Sequence, residues 1–155
     1  MKILILGYYY RNNIGDDIFE YIFKNYLNKY WPNVQYIIKN TDDINVIPND
    51  ISLIICGGGD IINNYFLDKI NLLTHNINIP VYAISIGFPY INMLNDDVLD
   101  RFDYIIHRNK SDNQYLLNKY GPNRIQYFPD LAFLLPNFSS LTLTDPSFAS
   151  ITQVS

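Results

Sequence analysis

The chain has 155 residues, of which 48% are hydrophobic and 15% aromatic, and its 11 basic and 15 acidic residues give a formal net charge of -4. A chain of this length can form one domain that buries roughly two thirds of its unfolded surface. No cluster of lysine and arginine follows one face, which argues against a nucleic-acid partner. The single cysteine, Cys56, excludes an intrachain disulfide and a multi-cysteine zinc site. The first apolar run, residues 2–7, is too short for a signal-peptide core or a membrane span, so we expect a cytoplasmic protein.

The N-terminal stretch predicts a strand, a loop and a helix. Residues 2–7 are mainly aliphatic, as in a strand that is buried on both faces. After Asp16 the apolar residues Ile18, Ile22 and Tyr26 recur four positions apart, which predicts a helix packed on a sheet. The loop between them follows the carboxyl end of a strand, where open α/β sheets bind their ligands.

Gly15 and Asp16 in this loop each have a structural and a functional interpretation. Gly15 can adopt a backbone conformation closed to other residues. Asp16 lies at the predicted helix start, where it can cap free backbone N–H groups or turn its carboxylate to a substrate. The residues alone leave both interpretations open.

The rest of the chain alternates strands with helices. Further strands are predicted at residues 34–39, 51–56, 81–86, 103–107 and 124–128. Helices are predicted from Ile62, near residues 96–101 and from Ser111. The alternation predicts an α/β, Rossmann-like domain over residues 1–136, with a largely parallel sheet and helices on both faces. Residues 137–155 are rich in serine and threonine and are predicted to be a loosely ordered tail.

Three consecutive glycines, Gly57, Gly58 and Gly59, follow the third predicted strand and precede Asp60. Without Cβ atoms they would let a phosphate, carboxylate or sugar hydroxyl approach the backbone at a helix N-terminus. A tight turn is the alternative. The loop is neither a Walker A motif nor a G-x-G-x-x-G dinucleotide fingerprint.

The fifth and sixth strands are followed by further candidates. Arg108 could bind a carboxylate or phosphate, or pair with a neighbouring acid. His107 could be an acid/base group or a structural residue, and Ser111 is placed as a helix N-cap. Asp130 either faces the same end of the sheet or caps a turn after Pro129.

Parallel strands bring these positions to one end of the sheet. We therefore expect a single cleft that is lined by Asp16, residues 57–60, Arg108 and Asp130. The histidines are far apart and there is one cysteine, so no metal site is expected.

Four motifs agree in order and spacing with one known family over about residues 1–135. They are Gly7-Tyr8-Tyr9 with Asn13-Ile14-Gly15-Asp16-Asp17, Gly57-Gly58-Gly59-Asp60-Ile61-Ile62, Arg108 with Ser111, and Pro129-Asp130-Leu131-Ala132-Phe133. In these motifs the chain resembles the polysaccharide pyruvyl transferase family. The resemblance implies a fold like the N-terminal domain of a GT-B-type transferase. It also implies transfer of a pyruvyl group from phosphoenolpyruvate to a sugar, as a ketal and without a cofactor.

Asp16 and Arg108 are the best candidates for catalytic residues. The candidate substrate-binding residues are Asn13, Gly15, Asp16, Gly57, Gly58, Gly59, Asp60, Arg108, Ser111 and Asp130.

The chain departs from the family pattern at several positions. Tyr10 and Asn12 stand where the family usually has glycines, Asp17 replaces a common glutamate, and Asn109 replaces a frequent acidic residue. Family members are longer, so we expect this chain to match the N-terminal half. Transfer would then need a second domain, in a partner chain, a homo-oligomer or a longer gene product.

Two other classes of protein stay open on the sequence. One is a non-catalytic carbohydrate-binding or scaffold module. The other is a small nucleotide- or phosphate-binding α/β protein whose glycine loop is the anion site.

Overall fold

A six-stranded sheet organises the chain in this computed structural model, which describes residues 1–89 and 99–135. The strands are β1 (Lys2–Gly7), β2 (Gln35–Asn40), β3 (Leu53–Gly59), β4 (Val81–Ile86), β5 (Tyr104–His107) and β6 (Ile125–Tyr127). The helices are α1 (Ile14–Tyr30), α2 (Asn64–Thr74) and α3 (Asn113–Tyr120). The strand order is β2-β1-β3-β4-β5-β6 and every neighbouring pair is parallel. The predicted α/β fold with a Rossmann-like parallel sheet is confirmed.

Two hydrophobic clusters lie on opposite faces of the sheet. Along β1, Ile3 and Ile5 belong to the cluster beneath α1, whereas Leu4 and Leu6 belong to the cluster beneath α2 and α3. Side chains alternate between the faces of a strand, so a strand covered on both faces is apolar at successive positions. This explains why residues 3–6 of β1 are all aliphatic, and it confirms the helices on both faces.

The parallel arrangement puts the carboxyl ends of all six strands at one end of the sheet. The register pairs Gly7 of β1 with Asn40 of β2, and Gly59 of β3 with Ile86 of β4. His107 of β5 lies opposite Ile86 across the next ladder. The loops that follow these strands therefore meet at the carboxyl end of the sheet, the usual place for a ligand.

Several boundaries differ from those that the sequence predicted. β3 extends through Gly59, so the glycines end the strand instead of forming a loop after it. Ser111 does not cap α3. It lies inside a short 3-10 turn, Lys110–Asp112, and the helix begins only after this turn, at Asn113. Of the helix predicted near residues 96–101, residues 99–101 form a turn and the others lie outside the described residues, as do residues 137–155. In the described ranges, no helix combines the length and apolar character needed to cross a membrane.

Candidate functional site

An open cleft of about 310 Å³ lies at the carboxyl end of the sheet. It is lined by Tyr8, Asn13, Gly15, Asp16, Phe19, Gly59, Asp60, Ile61, Phe66 and Arg108. The volume is near the lower limit of small-molecule sites, which begin at about 300 Å³. The structure thus brings together six residues that the sequence singled out and adds an apolar wall of Tyr8, Phe19, Ile61 and Phe66. The residue types alone did not indicate that these side chains line a cleft, because apolar side chains of this kind usually belong to the hydrophobic core.

The start of α1 places Asp16 in the cleft. Asn13 is the N-cap, and its side-chain oxygen accepts a hydrogen bond from the Gly15 backbone N–H at 3.1 Å. The Asn13 amide donates to Asp16 Oδ2 at 2.7 Å. Because Asn13 caps the helix, the carboxylate of Asp16 does not, and the cap interpretation of Asp16 is wrong. The carboxylate instead packs against Gly59, where any Cβ atom would overlap Oδ1.

Asp16 is only 7% exposed, and this burial raises its pKa to about 6. The Arg108 guanidinium acts in the opposite direction and lowers the pKa, whereas the charges of Asp17 and Asp60 raise it further. A carboxyl group that titrates near neutral pH can both give and accept a proton, which is the property required of a general acid or base.

Arg108 is held between two carboxylates. It donates through Nη2 to Asp60 Oδ1 at 2.7 Å and through Nη1 to Asp130 Oδ2. Its guanidinium also lies over the ring of Phe19, 6.0 Å from the centroid. Asp130 does not line the cleft itself, which differs from the expectation. Its other oxygen accepts from Ala132 N–H and caps the 3-10 turn Leu131–Leu134, so the capping interpretation is confirmed. Arg108 thus sits in a fixed position beside the cleft.

Ser85 also supports this arrangement, although nothing in the sequence of its apolar strand marked it as a site residue. It lies at a register shift between Ile84 and Ile86, with a left-handed φ of 57°. Its buried hydroxyl accepts a hydrogen bond from the Leu131 N–H at 3.0 Å. The bulge therefore ties β4 to the turn that carries Asp130.

The three glycines of β3 divide into two roles. A Cβ atom at Gly57 would lie 2.8 Å from the ring of Phe23, and one at Gly58, whose φ is +80°, would overlap Phe19. These two glycines let α1 pack directly on the strand and do not line the cleft. This differs from the expectation that a ligand approaches all three. Only Gly59 lines the cleft.

Gly87 is a further position that sequence reasoning did not connect with the site. A Cβ atom there would overlap Asp60 Oδ1 and lie 3.0 Å from Arg108 Nε. The glycine leaves room for the ion pair of Asp60 with Arg108 directly above the end of β4. Its signal in the sequence was its position immediately after an apolar strand.

The loop between β1 and α1 has a left-handed backbone at two non-glycine residues. The φ angles are 62° at Tyr10 and 59° at Asn12, the positions where the resemblance expects glycine. Tyr10 donates its N–H to Asp17 Oδ1 at 2.8 Å and its hydroxyl to Glu20 Oε1. A left-handed conformation costs roughly 1–2 kcal/mol per residue, and these hydrogen bonds to α1 hold it in place.

His107 and Ser111 lie apart from the cleft. His107 is fully buried between Phe88 and Tyr127, and its Nε2 lies 3.1 Å from Asn113 Oδ1. Burial lowers its pKa, which favours the neutral imidazole. Its position fits a structural role better than an acid/base role. Ser111 is exposed, and its hydroxyl reaches only Asp112 Oδ1 at 3.4 Å.

The charge of this site is negative. Asp16, Asp60 and Asp130 face a single guanidinium, that of Arg108, and Asp17 follows in the first turn of α1. Within the described ranges, no group of three His, Cys, Asp or Glu side chains is arranged to hold a metal ion.

Comparison with known proteins identifies the family. No curated protein is similar enough in sequence to count as a match. The family model described as polysaccharide pyruvyl transferase matches residues 13–151, which is most of the chain and includes Asp16, the glycines of β3, Arg108 and Asp130. The match also continues beyond residue 136 into the segment that the sequence assigned to a tail. The chain belongs to the polysaccharide pyruvyl transferase family.

Proposed function

We propose that this chain supplies the acceptor side of an enzyme that transfers a pyruvyl group from phosphoenolpyruvate to two hydroxyls of a sugar, with formation of a cyclic ketal and phosphate. In this reaction, C2 of the donor forms bonds to two sugar oxygens and its bond to the phosphate oxygen breaks. C3 gains one proton and becomes a methyl group. Of the two hydroxyl protons, one balances the proton gained at C3 and the other leaves with phosphate. Family membership supports this reaction class.

The observation that carries the proposal is the buried carboxyl of Asp16, whose pKa of about 6 suits proton transfer near neutral pH. In the proposed reaction Asp16 accepts the proton of the attacking hydroxyl. The protonated carboxyl can then return that proton to the donor. Asn13, which donates a hydrogen bond to Asp16 Oδ2, holds the carboxylate in one orientation.

The chemistry of the cleft favours a sugar over an anion. Asp16 and Asp60 can accept hydrogen bonds from hydroxyls, and Tyr8 and Phe66 offer apolar surface to the C–H groups of a pyranose ring. The positive end of the α1 dipole is already faced by Asp16 and Asp17. A phosphate at Gly59 would lie beside the carboxylate of Asp16, which disfavours a nucleotide site at the glycines.

Phosphoenolpyruvate carries a phosphate and a carboxylate, and its transition state needs positive groups around the departing phosphate. Arg108, the cation that lines the cleft, is already paired with Asp60 and Asp130. We therefore propose that the donor is bound mainly by groups outside the described residues, in a further domain or a partner chain. The isolated chain should then show weak transfer at best.

The test compares binding and turnover in one set of samples. Saturation-transfer NMR measures binding of galactose, glucose, mannose and phosphoenolpyruvate, while 31P NMR follows phosphate release and 1H NMR follows the ketal methyl signal. We expect at least one sugar to bind more tightly than phosphoenolpyruvate. Asp16→Asn should weaken sugar binding, because an amide replaces one hydrogen-bond acceptor with a donor. Asp50→Asn is the matched control, since Asp50 pairs with Lys2 at the opposite end of the sheet.

Two results would contradict the proposal in different ways. Tighter binding of phosphoenolpyruvate than of any sugar would contradict the acceptor role. Sugar binding without ketal formation, even when a partner chain or a further domain is supplied, would favour a non-catalytic carbohydrate-binding module.

A further inference from the structure

A row of three aromatic rings leads outward from the cleft. Tyr8 and Phe66 line the cleft, with ring centroids 5.4 Å apart in an edge-to-face arrangement. Phe66 in turn contacts the ring of Tyr65, with centroids 5.1 Å apart and an interplanar angle of 84°. Tyr65 does not line the cleft itself but extends its apolar wall. These three residues are called the aromatic row below.

Tyr65 is 60% exposed, yet a hydrogen bond from its hydroxyl restrains the ring. Its hydroxyl donates a hydrogen bond to Asp42 Oδ1 at 2.8 Å. Asp42 is held in turn by Lys69 Nζ at 3.6 Å and by an Arg11 guanidinium nitrogen at 3.8 Å. An exposed ring that is already ordered loses little conformational entropy when it binds a ligand, which is the advantage of a preorganised site.

The groups around Tyr65 balance in charge. Asp42 and Asp43 lie against Arg11, and Lys69 contacts Asp42. This surface therefore does not attract a phosphate or a carboxylate in the way a basic patch would. It suits a neutral ligand that has an apolar face for the ring and hydroxyls for the polar groups at its edge. A pyranose sugar has both features.

We propose that Tyr65 forms a second sugar subsite, which binds the sugar next to the one held in the cleft when the acceptor is a glycan chain. The inference rests on the proposed acceptor role of the cleft. The contact of Tyr65 with Phe66 makes the two surfaces continuous, so one linear glycan can occupy both. The subsite increases the affinity for an oligosaccharide over that for a single sugar.

Matched pairs of probes test this inference: galactose with lactose, glucose with cellobiose, and mannose with mannobiose. NMR titration gives the Kd of each probe for the wild-type chain and its variants. We expect at least one disaccharide to bind about tenfold more tightly than its monosaccharide, equivalent to about 1.4 kcal/mol. Tyr65→Ala should remove this advantage without changing monosaccharide affinity. Tyr65→Phe, which keeps the ring, should retain most of it.

Tyr30→Ala is the matched control, because Tyr30 is also an exposed tyrosine, 55% exposed, but lies at the opposite end of α1 from the cleft. It should leave the disaccharide advantage unchanged. Thermal melting verifies that the variants are folded, as expected for substitutions at exposed positions.

The outcomes separate the subsite from the acceptor role. If monosaccharides bind but disaccharides gain nothing, or if Tyr65→Ala keeps the advantage, the subsite is refuted and the acceptor cleft stands. If no sugar binds the wild-type chain, the proposed acceptor function fails and the subsite fails with it.

Discussion

The cleft and the core directly beneath it are built from opposite kinds of residue. In the core, Leu4, Ile5, Ile54, Ala83 and Ile105 are fully buried and apolar, and their strands pair in regular parallel register. At the carboxyl end of these strands, the backbone becomes left-handed at several residues, and a buried carboxylate and a doubly paired arginine replace the aliphatic side chains.

The difference indicates what each region does for the protein. The aliphatic residues gain free energy from burial, about 25 cal/mol per Å² of apolar surface. The residues of the cleft lose free energy, through desolvation of Asp16 and left-handed backbone at Tyr10 and Asn12. Regions that reduce stability in this way commonly serve function. Substitutions that relieve the buried charge of Asp16 or the left-handed backbone should therefore raise stability, whereas substitutions that disturb packing or ion pairs should lower it.

The largest effect is expected where the two regions meet, at Gly58. A Cβ atom at Gly58 would overlap Phe19, so Gly58→Ala should lower the free energy of unfolding by about 3–4 kcal/mol through overpacking and backbone strain. Gly121→Ala is the control, because its φ of +79° is nearly the same but nothing lies within 4 Å. It should cost about 1–3 kcal/mol through backbone strain alone, because a φ of +79° with a ψ of 158° is a conformation that essentially only glycine adopts. Urea unfolding measures the free energy of unfolding of both variants, and equal losses would show that Gly58 has no packing role.

Arg108→Ala should have the next largest effect. It leaves Asp60 and Asp130 without their cation, which should cost about 2 kcal/mol, and it should raise the pKa of Asp16 further because the lowering influence of Arg108 is lost. Arg108→Lys keeps the charge but cannot bind both carboxylates in the same geometry, so it should recover only part of the loss. Full recovery by lysine would mean that charge alone matters at this position.

Asp16→Asn should raise stability at pH 8 by about 2 kcal/mol, the opposite sign to Gly58→Ala and Arg108→Ala. The pKa of Asp16 is raised to about 6 in the folded chain, so its contribution favours folding at low pH and is lost as the pH rises through 6. The gain from asparagine should therefore disappear near pH 4. Urea unfolding of both proteins from pH 4 to 8 gives the difference, and a difference independent of pH would contradict the buried-acid interpretation.

The smallest effect is expected at Asn12, whose φ is 59°. Asn12→Gly should stabilise the chain by a few tenths of a kcal/mol, because glycine adopts this conformation without strain. Asn12→Ala should destabilise it by about 1 kcal/mol, because alanine tolerates it less well than asparagine. Thermal unfolding gives the order of stability of the wild-type chain and the two variants. If alanine equals asparagine, the loop is not held in the left-handed conformation.

Apolar runs and helical periodicity predicted the fold well, because they follow directly from burial on two faces of a sheet. The same logic placed Asp16, Asp60, Arg108 and Asp130 at one end of the sheet, where ion pairs now link three of them. It did not predict Ser85 or the split role of the glycines. Both depend on which side chain of another element approaches the strand, and a strand pattern does not contain that information.

The capping residues show the same limit. The sequence predicts Asp16 as the possible cap of α1, although asparagine, the residue at position 13, is an equally good cap by type. Only the geometry assigns the cap to Asn13, and this choice leaves the carboxylate of Asp16 in the cleft. An aspartate at the cap position would have a structural role. Asp16 lies about one helical turn further along α1, and this position makes it a candidate catalytic residue.

The proposed function depends on the buried carboxyl of Asp16, and the titration of that group is its most direct test. The 13C signal of the side-chain carboxyl can be followed by NMR from pH 3 to 9 and assigned by its loss in Asp16→Asn. We expect a midpoint at pH about 6. A midpoint at pH about 4, the ordinary value for an exposed aspartate, would contradict both the burial of this group and its proposed role in proton transfer.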